Sequence, residues 1–517
     1  MYSNDLTIQH WLTKHARYRG NKTAIVCGDQ RLSFKELNAA VNQLVHAFQA
    51  AGICKGDKVA TVLPNCMALW EVYWACAKMG AVAVPLSPLL RGAGLANLIE
   101  NADSKLVISN KETAPFISEV KNALVQVAAD HFWLINSAAT PGYQSYQAVT
   151  ATQPSTEPEV ETVTGTDPYN IIYSSGTTGL PKGIVLSHAV RALYGTLFAN
   201  AYRMTPESVV MHSGSIIFNG SFLTLMPAML LGCTYILHDH FDPKQVITAI
   251  GEEKVTHTIL VPSQVISCLQ QEAFNKKELP SIEYILSVGA PLLLEHKQEL
   301  TTRIPGVFYE LYGLTEGFMT ILDRTDALRK TGSVGYPPAF MDMKILNDKG
   351  ELQPTGVIGE IAGRGPLLME GYYKNELQTQ EAIINGWLFT GDLGYVDTEG
   401  FLFLTSRKKD LIISGGVNVY PADIEEVIIK HEAIKDVAVF GVPHEEWGET
   451  PVAAVVLATH AVGISADFIK TWVNNHIDAR FQKVHDVIIT EELPRNIAGK
   501  VLKRELKEKY EHGIKIY

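Results

Sequence analysis

Between residues 31 and 50 the apolar positions Leu37, Val41, Leu44, Val45 and Phe48 recur at steps of one, three and four. That spacing puts them on one face of a helix. Ser33, with Glu36 three residues on, supplies a capping box at its start. The pattern then changes. Gly56-Asp57-Lys58 reads as a turn, and Val59-Ala60-Thr61-Val62-Leu63 as a buried strand. A helix through Trp70, Trp74 and Ala77 ends near Gly80, and Ala81-Val82-Ala83-Val84-Pro85 is the next strand. Such alternation predicts an α/β fold with a doubly wound sheet. It resumes across residues 209–261. The longest apolar region runs from Phe222 to Leu237, but Pro227 and Gly232 divide it. It reads as a buried helix entering a strand, so no integral membrane segment is expected. Residues 149–168 are dominated by Pro, Thr and Glu and read as a surface connection.

Composition narrows the class. The chain has 517 residues, too many for a single core, and implies two or more domains. A formal net charge of −11 argues against nucleic acid or an anionic membrane surface as the main partner. The six cysteines are scattered and show no CxxC spacing, which favours buried reduced thiols over disulfides or a zinc site. The first residues lack a basic stretch followed by an apolar run, so no signal peptide is expected and the cytoplasm is the default location.

The most informative stretch is Tyr173-Ser174-Ser175-Gly176-Thr177-Thr178-Gly179-Leu180-Pro181-Lys182-Gly183. An apolar run enters it and another leaves it, which predicts strand, loop, strand. Glycines let a backbone approach a ligand, hydroxyls and backbone N–H groups donate to it, and lysine adds a point charge. A polyphosphate suits such a loop. A Gly/Thr-rich hairpin turn is the plainer alternative. A Walker A loop is excluded, because Lys182 is followed by Gly183 rather than Ser or Thr.

This stretch resembles the phosphate loop of the adenylate-forming superfamily, which comprises acyl-CoA synthetases, firefly-type luciferases and peptide-synthetase adenylation domains. Further motifs follow in that family's order. Gly289-Ala290-Pro291 ends a strand and matches one wall of the adenine slot. Tyr312-Gly313-Leu314-Thr315-Glu316 offers a ring to stack on a base, a hydroxyl for phosphate and a carboxylate for magnesium. Alone it could be a strand end before a charged helix. Asp392, read as a strand-end aspartate, and Arg407 match the residues that reach the ribose. Lys409 falls on the hinge position, where a solvated linker is the alternative. Gly415 and Gly416 match a turn lining the tunnel for CoA. Lys500 matches the mobile catalytic lysine and would otherwise be a solvated turn residue.

The resemblance spans about residues 8–510. It implies a large N-terminal domain of doubly wound sheets plus a distorted barrel (residues 1–406), a hinge at 407–410, and a small mobile C-terminal α+β domain (411–517). The implied reaction activates a carboxylic acid with ATP and Mg2+, releases pyrophosphate, and passes the acyl group to CoA. Transfer to an amine or a carrier protein is the alternative, and a non-catalytic binder of acyl-adenylate is a further one. Gly289 and Gly313 would also border the acyl pocket. Phe218-Asn219 stands where Phe-His is common in the family, with a helix cap as the alternative role for Asn219. No extra basic residue appears around residues 214–222, which favours an apolar acyl or aryl tail. Expected partners are small molecules, and a homodimer is left open.

Overall fold

The structure is a computed structural model and describes residues 6–137, 140–174, 181–459, 461, 463–495 and 501–513. The chain divides into two compact units, residues 1–342 with 364–388, and residues 343–363 with 389–517. The second unit takes in residues 343–363 and 389–406, which the sequence places in the large domain. The cause is strand pairing. The segment around Gly359–Arg364 hydrogen-bonds to Trp387–Val396, which in turn pairs with Leu402–Arg407.

In the first unit the helix Phe34–Ala50 starts as its sequence requires. Glu36 N donates to Ser33 Oγ at 3.3 Å, and Ser33 N donates to Glu36 Oε2 at 2.8 Å. Leu37, Val41, Leu44, Val45 and Phe48 are all buried. The helix Met67–Met79 ends on Gly80 in the left-handed region, and Phe222–Leu231 ends on Gly232 in the same way. Residues 154–164 do cross the surface, yet they are anchored. Lys78, buried in its helix, donates to Glu157, Asn38 and Asn42.

Two eight-stranded sheets result. One has the parallel core Phe308–Gly313, Tyr284–Val288, His257–Leu260, Val209–His212, Thr234–Leu237 and Thr23–Cys27, with antiparallel strands at both edges. The other runs Gly371–Tyr372, Lys182–Ser187, Pro168–Ser174, Val82–Leu86, Lys58–Val62, Ser104–Ser109, Phe132–Leu134, Gln144–Ser145. Its first two pairings are antiparallel and the rest parallel.

In the second unit a further five-stranded sheet is built on the long pair Ile434–His444 and Gly448–Leu457. Their alternation feeds two cores. Val439, Val455 and Ala453 face Ile424, Ile428 and Val473, while Phe440, Val452 and Ala454 face Leu506. Among the described residues no helix is long and apolar enough to cross a membrane. The six cysteines are all described and none is bonded to another; Cys54 is exposed, against the expectation of burial.

Candidate active site

Two motifs emerge from neighbouring strand ends. Val288 lies beside Leu311 in parallel register, so Gly289-Ala290-Pro291 and Tyr312-Gly313 leave the same edge of the first sheet. Ligands of open α/β sheets bind outside the carboxyl ends of the strands. Gly289 takes φ +96°, and residues 289–291 are exposed. No helix follows Glu316. The chain turns back into the antiparallel strand Met319–Leu322, with Gly313 opposite Met319. The turn depends on Gly317 at φ +110°, where a Cβ would lie 2.0 Å from the Leu367 carbonyl oxygen. Thr315 and Glu316 stand in this turn, both partly exposed.

Both predicted strands are present. Pro168–Ser174 pairs antiparallel with Lys182–Ser187, and Ser174 faces Lys182 across the mouth of the hairpin. Ser175, Gly176, Thr177, Thr178 and Gly179 lie outside the described residues. A third strand continues this sheet, with Tyr372 opposite Ile184. Tyr372 was not singled out by sequence, yet it connects the two motifs. Its hydroxyl donates to Glu316 Oε1 at 2.9 Å, and Lys182 Nζ stands 4.7 Å from its ring centre. Met369 N also donates to the Glu316 carbonyl oxygen at 2.8 Å. Burial first, and the Glu316 carboxylate second, raise the Tyr372 phenol far above its ordinary pKa, so it stays a donor. One oxygen of Glu316 is thereby engaged; among the described residues the other has no hydrogen-bond partner. Among the described residues no three His, Cys, Asp or Glu form a metal cage. A lone carboxylate completed by substrate phosphates is how magnesium is commonly held, so the donor set fits.

Phe218 is extended and precedes the short helix Asn219–Ser221. A Cβ on Gly220 would lie 4.0 Å from Val288 Cγ1, which sets this segment beside the Gly289 turn. The Asn219 side chain does not cap the helix. It accepts from Arg191 Nη1 at 2.9 Å. No basic residue lies near Asn219 in sequence, and the fold supplies one from the helix His188–Ala201, 28 positions away.

The second unit carries the remaining candidates. Asp392 lies in the middle of Trp387–Val396, which corrects the expectation of a strand end; the strand continues because Asp392 pairs in register with Arg407. Arg407 Nε is 3.0 Å from Asp392 Oδ1. Lys409 sits in the exposed single turn Lys408–Asp410. Gly415 and Gly416 form the two-residue turn between Ile412–Ser414 and Val417–Val419, with φ +59° and +77°. At Gly415 a Cβ would lie 2.7 Å from the Trp447 ring, whereas Gly416 has open space. Lys500 lies outside the described residues.

The profile of the AMP-binding enzyme family matches residues 12–373, and that of the AMP-binding enzyme C-terminal domain matches 423–500. The chain is 32% identical over 488 residues to the long-chain-fatty-acid–CoA ligase FadD13 of Mycobacterium tuberculosis, covering 93% of this chain and 94% of that one. It is 31% identical over 510 residues to a feruloyl-CoA synthase of an Amycolatopsis species, covering 97% and 98%. Among solved structures, ATP-bound MatB from Rhodopseudomonas palustris superposes with a TM-score of 0.87 at 27% identity, covering 98% and 99%.

Proposed function

The chain belongs to the AMP-binding enzyme family, and from that premise we propose how its residues divide the work of an AMP-forming acid–CoA ligase. The enzyme activates a carboxylic acid with ATP and transfers the acyl group to CoA. In the first step a carboxylate oxygen attacks the α-phosphorus, the bond to the β-phosphate bridging oxygen breaks, and pyrophosphate leaves. Negative charge must be held on the α-phosphate while an anion approaches. Thr315 donates to it, and Lys500 supplies a cation. Ser174, residues 175–179 and Lys182 hold the β- and γ-phosphates. Tyr312 and Gly289-Ala290-Pro291 flank the adenine, and Asp392 with Arg407 hold the ribose. Magnesium on Glu316 would neutralise phosphate charge as it builds. The observation that carries the assignment is Tyr372, which joins the metal-binding carboxylate to the phosphate-loop lysine.

In the second step the CoA sulfur attacks the acyl carbonyl as its proton leaves, and the bond to AMP breaks. Lys500 has no part in that step. The C-terminal domain turns about Lys409, and the Gly415-Gly416 turn then lines the path of the thiol. Gly416, with open space around it, suits that role better than Gly415, whose space Trp447 occupies. The cytoplasm is the expected location, and a homodimer is left open.

The test is product analysis with ATP, magnesium and acids of graded length and polarity. AMP and pyrophosphate should form only with an acid, and a thioester only when CoA is added. ADP and phosphate as products would overturn the assignment. Adenylate that accumulates and is discharged by a carrier protein or an amine, but not by CoA, would favour that other acceptor.

A further inference from the structure

Arg191 is fully buried in the first turns of the helix His188–Ala201. A guanidinium is charged at any neutral pH, and burial lowers Arg191 only to about 10. Among the described residues it has no carboxylate partner. Its Nε and Nη2 each lie 3.2 Å from Asn170 Oδ1, and its Nη1 lies 2.9 Å from Asn219 Oδ1. The ring of Phe222 covers one face, with Cζ 4.0 Å from the centroid. These contacts occupy three of five N–H donors.

The arrangement is expensive. Removing a lone charge from water costs several kcal/mol even after relaxation. A helix N-terminus is itself a positive pole and a poor neighbour for a cation. Asn170 turns its oxygen to the guanidinium and leaves its own Nδ2 buried without a partner among the described residues. Leucine would avoid burying a charge, so apolar packing alone does not account for the arginine.

Its effect is directional. Arginine only donates, so the Asn219 oxygen must face Arg191 and the Asn219 nitrogen must face away. Asn219 is part-exposed, and its neighbour Gly220 lies against Val288, one residue before the Gly289 turn. The Asn219 nitrogen interacts with the buried Tyr194 hydroxyl, which takes one of its two hydrogens; the guanidinium thus fixes part-exposed Asn219 as an N–H donor whose second hydrogen is left for a ligand.

We infer that Arg191, acting through Asn219, selects carboxylic acids that bear a second acceptor oxygen (hydroxyl, keto or carboxylate) over plain hydrocarbon acids of the same length. This rests on the adenylation proposed above. A site built around a donor discriminates strongly against a ligand lacking the acceptor, because the donor is then buried unpaired. Arg191 is a positioning residue in this scheme.

The test compares matched pairs of acids, with and without the second oxygen, by pyrophosphate release. Wild-type kcat/KM should favour the oxygenated member at least tenfold. Arg191→Leu should cut that ratio at least tenfold with KM for ATP little changed, even though the melting temperature falls because the Asn170 and Asn219 oxygens lose their donor. Asn219→Ala should cut the ratio similarly, and Arg191→Lys should restore part of it. Equal use of both members by wild type would overturn the inference while leaving the activity standing, as would an unchanged ratio in Arg191→Leu. No pyrophosphate with any acid would overturn the activity, and the inference with it.

Discussion

Tyr372 shows what one hydroxyl does here. A hydrogen bond to a charged group is worth about 1.5–3 kcal/mol. Tyr372→Phe removes the donor from Glu316 and keeps the ring beside Lys182. Pyrophosphate release should fall roughly tenfold or more in kcat/KM for ATP, with a melting temperature close to wild type. Unchanged kinetics would remove Tyr372 from the site. Individual residues were also the least legible level of the sequence. Glu316 and Lys182 announce themselves through motifs, but Tyr372 reaches Glu316 only by joining the edge of the phosphate-loop sheet. Arg191 and Asn219 are 28 positions apart on different elements, so no local spacing could pair them. Arg191 stands beside Asn219 in space but is remote from it in sequence.

Elements were more legible, because their signals are local. The helix Phe34–Ala50 follows from its cap and its apolar stripe, and the phosphate hairpin from two apolar runs around a glycine-rich centre. The turn after Tyr312 was not legible. A charged residue after a strand suits a helix start equally well, and the hairpin is decided by Gly317 against Leu367, more than 40 residues on. Gly317→Ala should cost at least about 2 kcal/mol, since φ is positive and the Cβ meets backbone. It should also abolish adenylation, because the turn carries Thr315 and Glu316. Ser33→Ala is the contrasting case: it should cost about 1 kcal/mol and leave kcat unchanged. Urea denaturation with pyrophosphate kinetics on both variants checks the pair. If Gly317→Ala is as active as Ser33→Ala, the turn does not position the site.

For the whole molecule two predictions stand. The first separates the half-reactions. Lys500→Ala should lower adenylation by orders of magnitude yet still convert a supplied acyl-adenylate to thioester. Lys409→Pro fixes φ near −65° and should retain adenylation while losing thioester formation, whereas Lys409→Ala should be mild. Equal loss of both steps in Lys500→Ala, or full turnover in Lys409→Pro, would contradict a two-conformation cycle. The second concerns acid. Burial lowers His188 and His212 to about 4, below the unfolded value near 6.5. Native imidazole stays neutral while the unfolded chain takes up protons, so the stability from each is complete above pH 6.5. It is lost as pH falls toward 4, by roughly 3 kcal/mol per histidine. His188→Leu should flatten the fall in urea midpoint between pH 7 and 5; an unaltered slope would argue against a buried neutral His188. One further consequence comes from the bond between Tyr372 and Glu316, which ties one eight-stranded sheet to the other. On the proposed roles the grip on ATP is shared between both sheets, so a mutation on either side should disturb it. Arg191 answers instead to Asn170, Asn219 and Phe222. On those roles, substitution at Arg191 or Asn219 alone should shift the choice of acid while the residues that would hold ATP stay as they are.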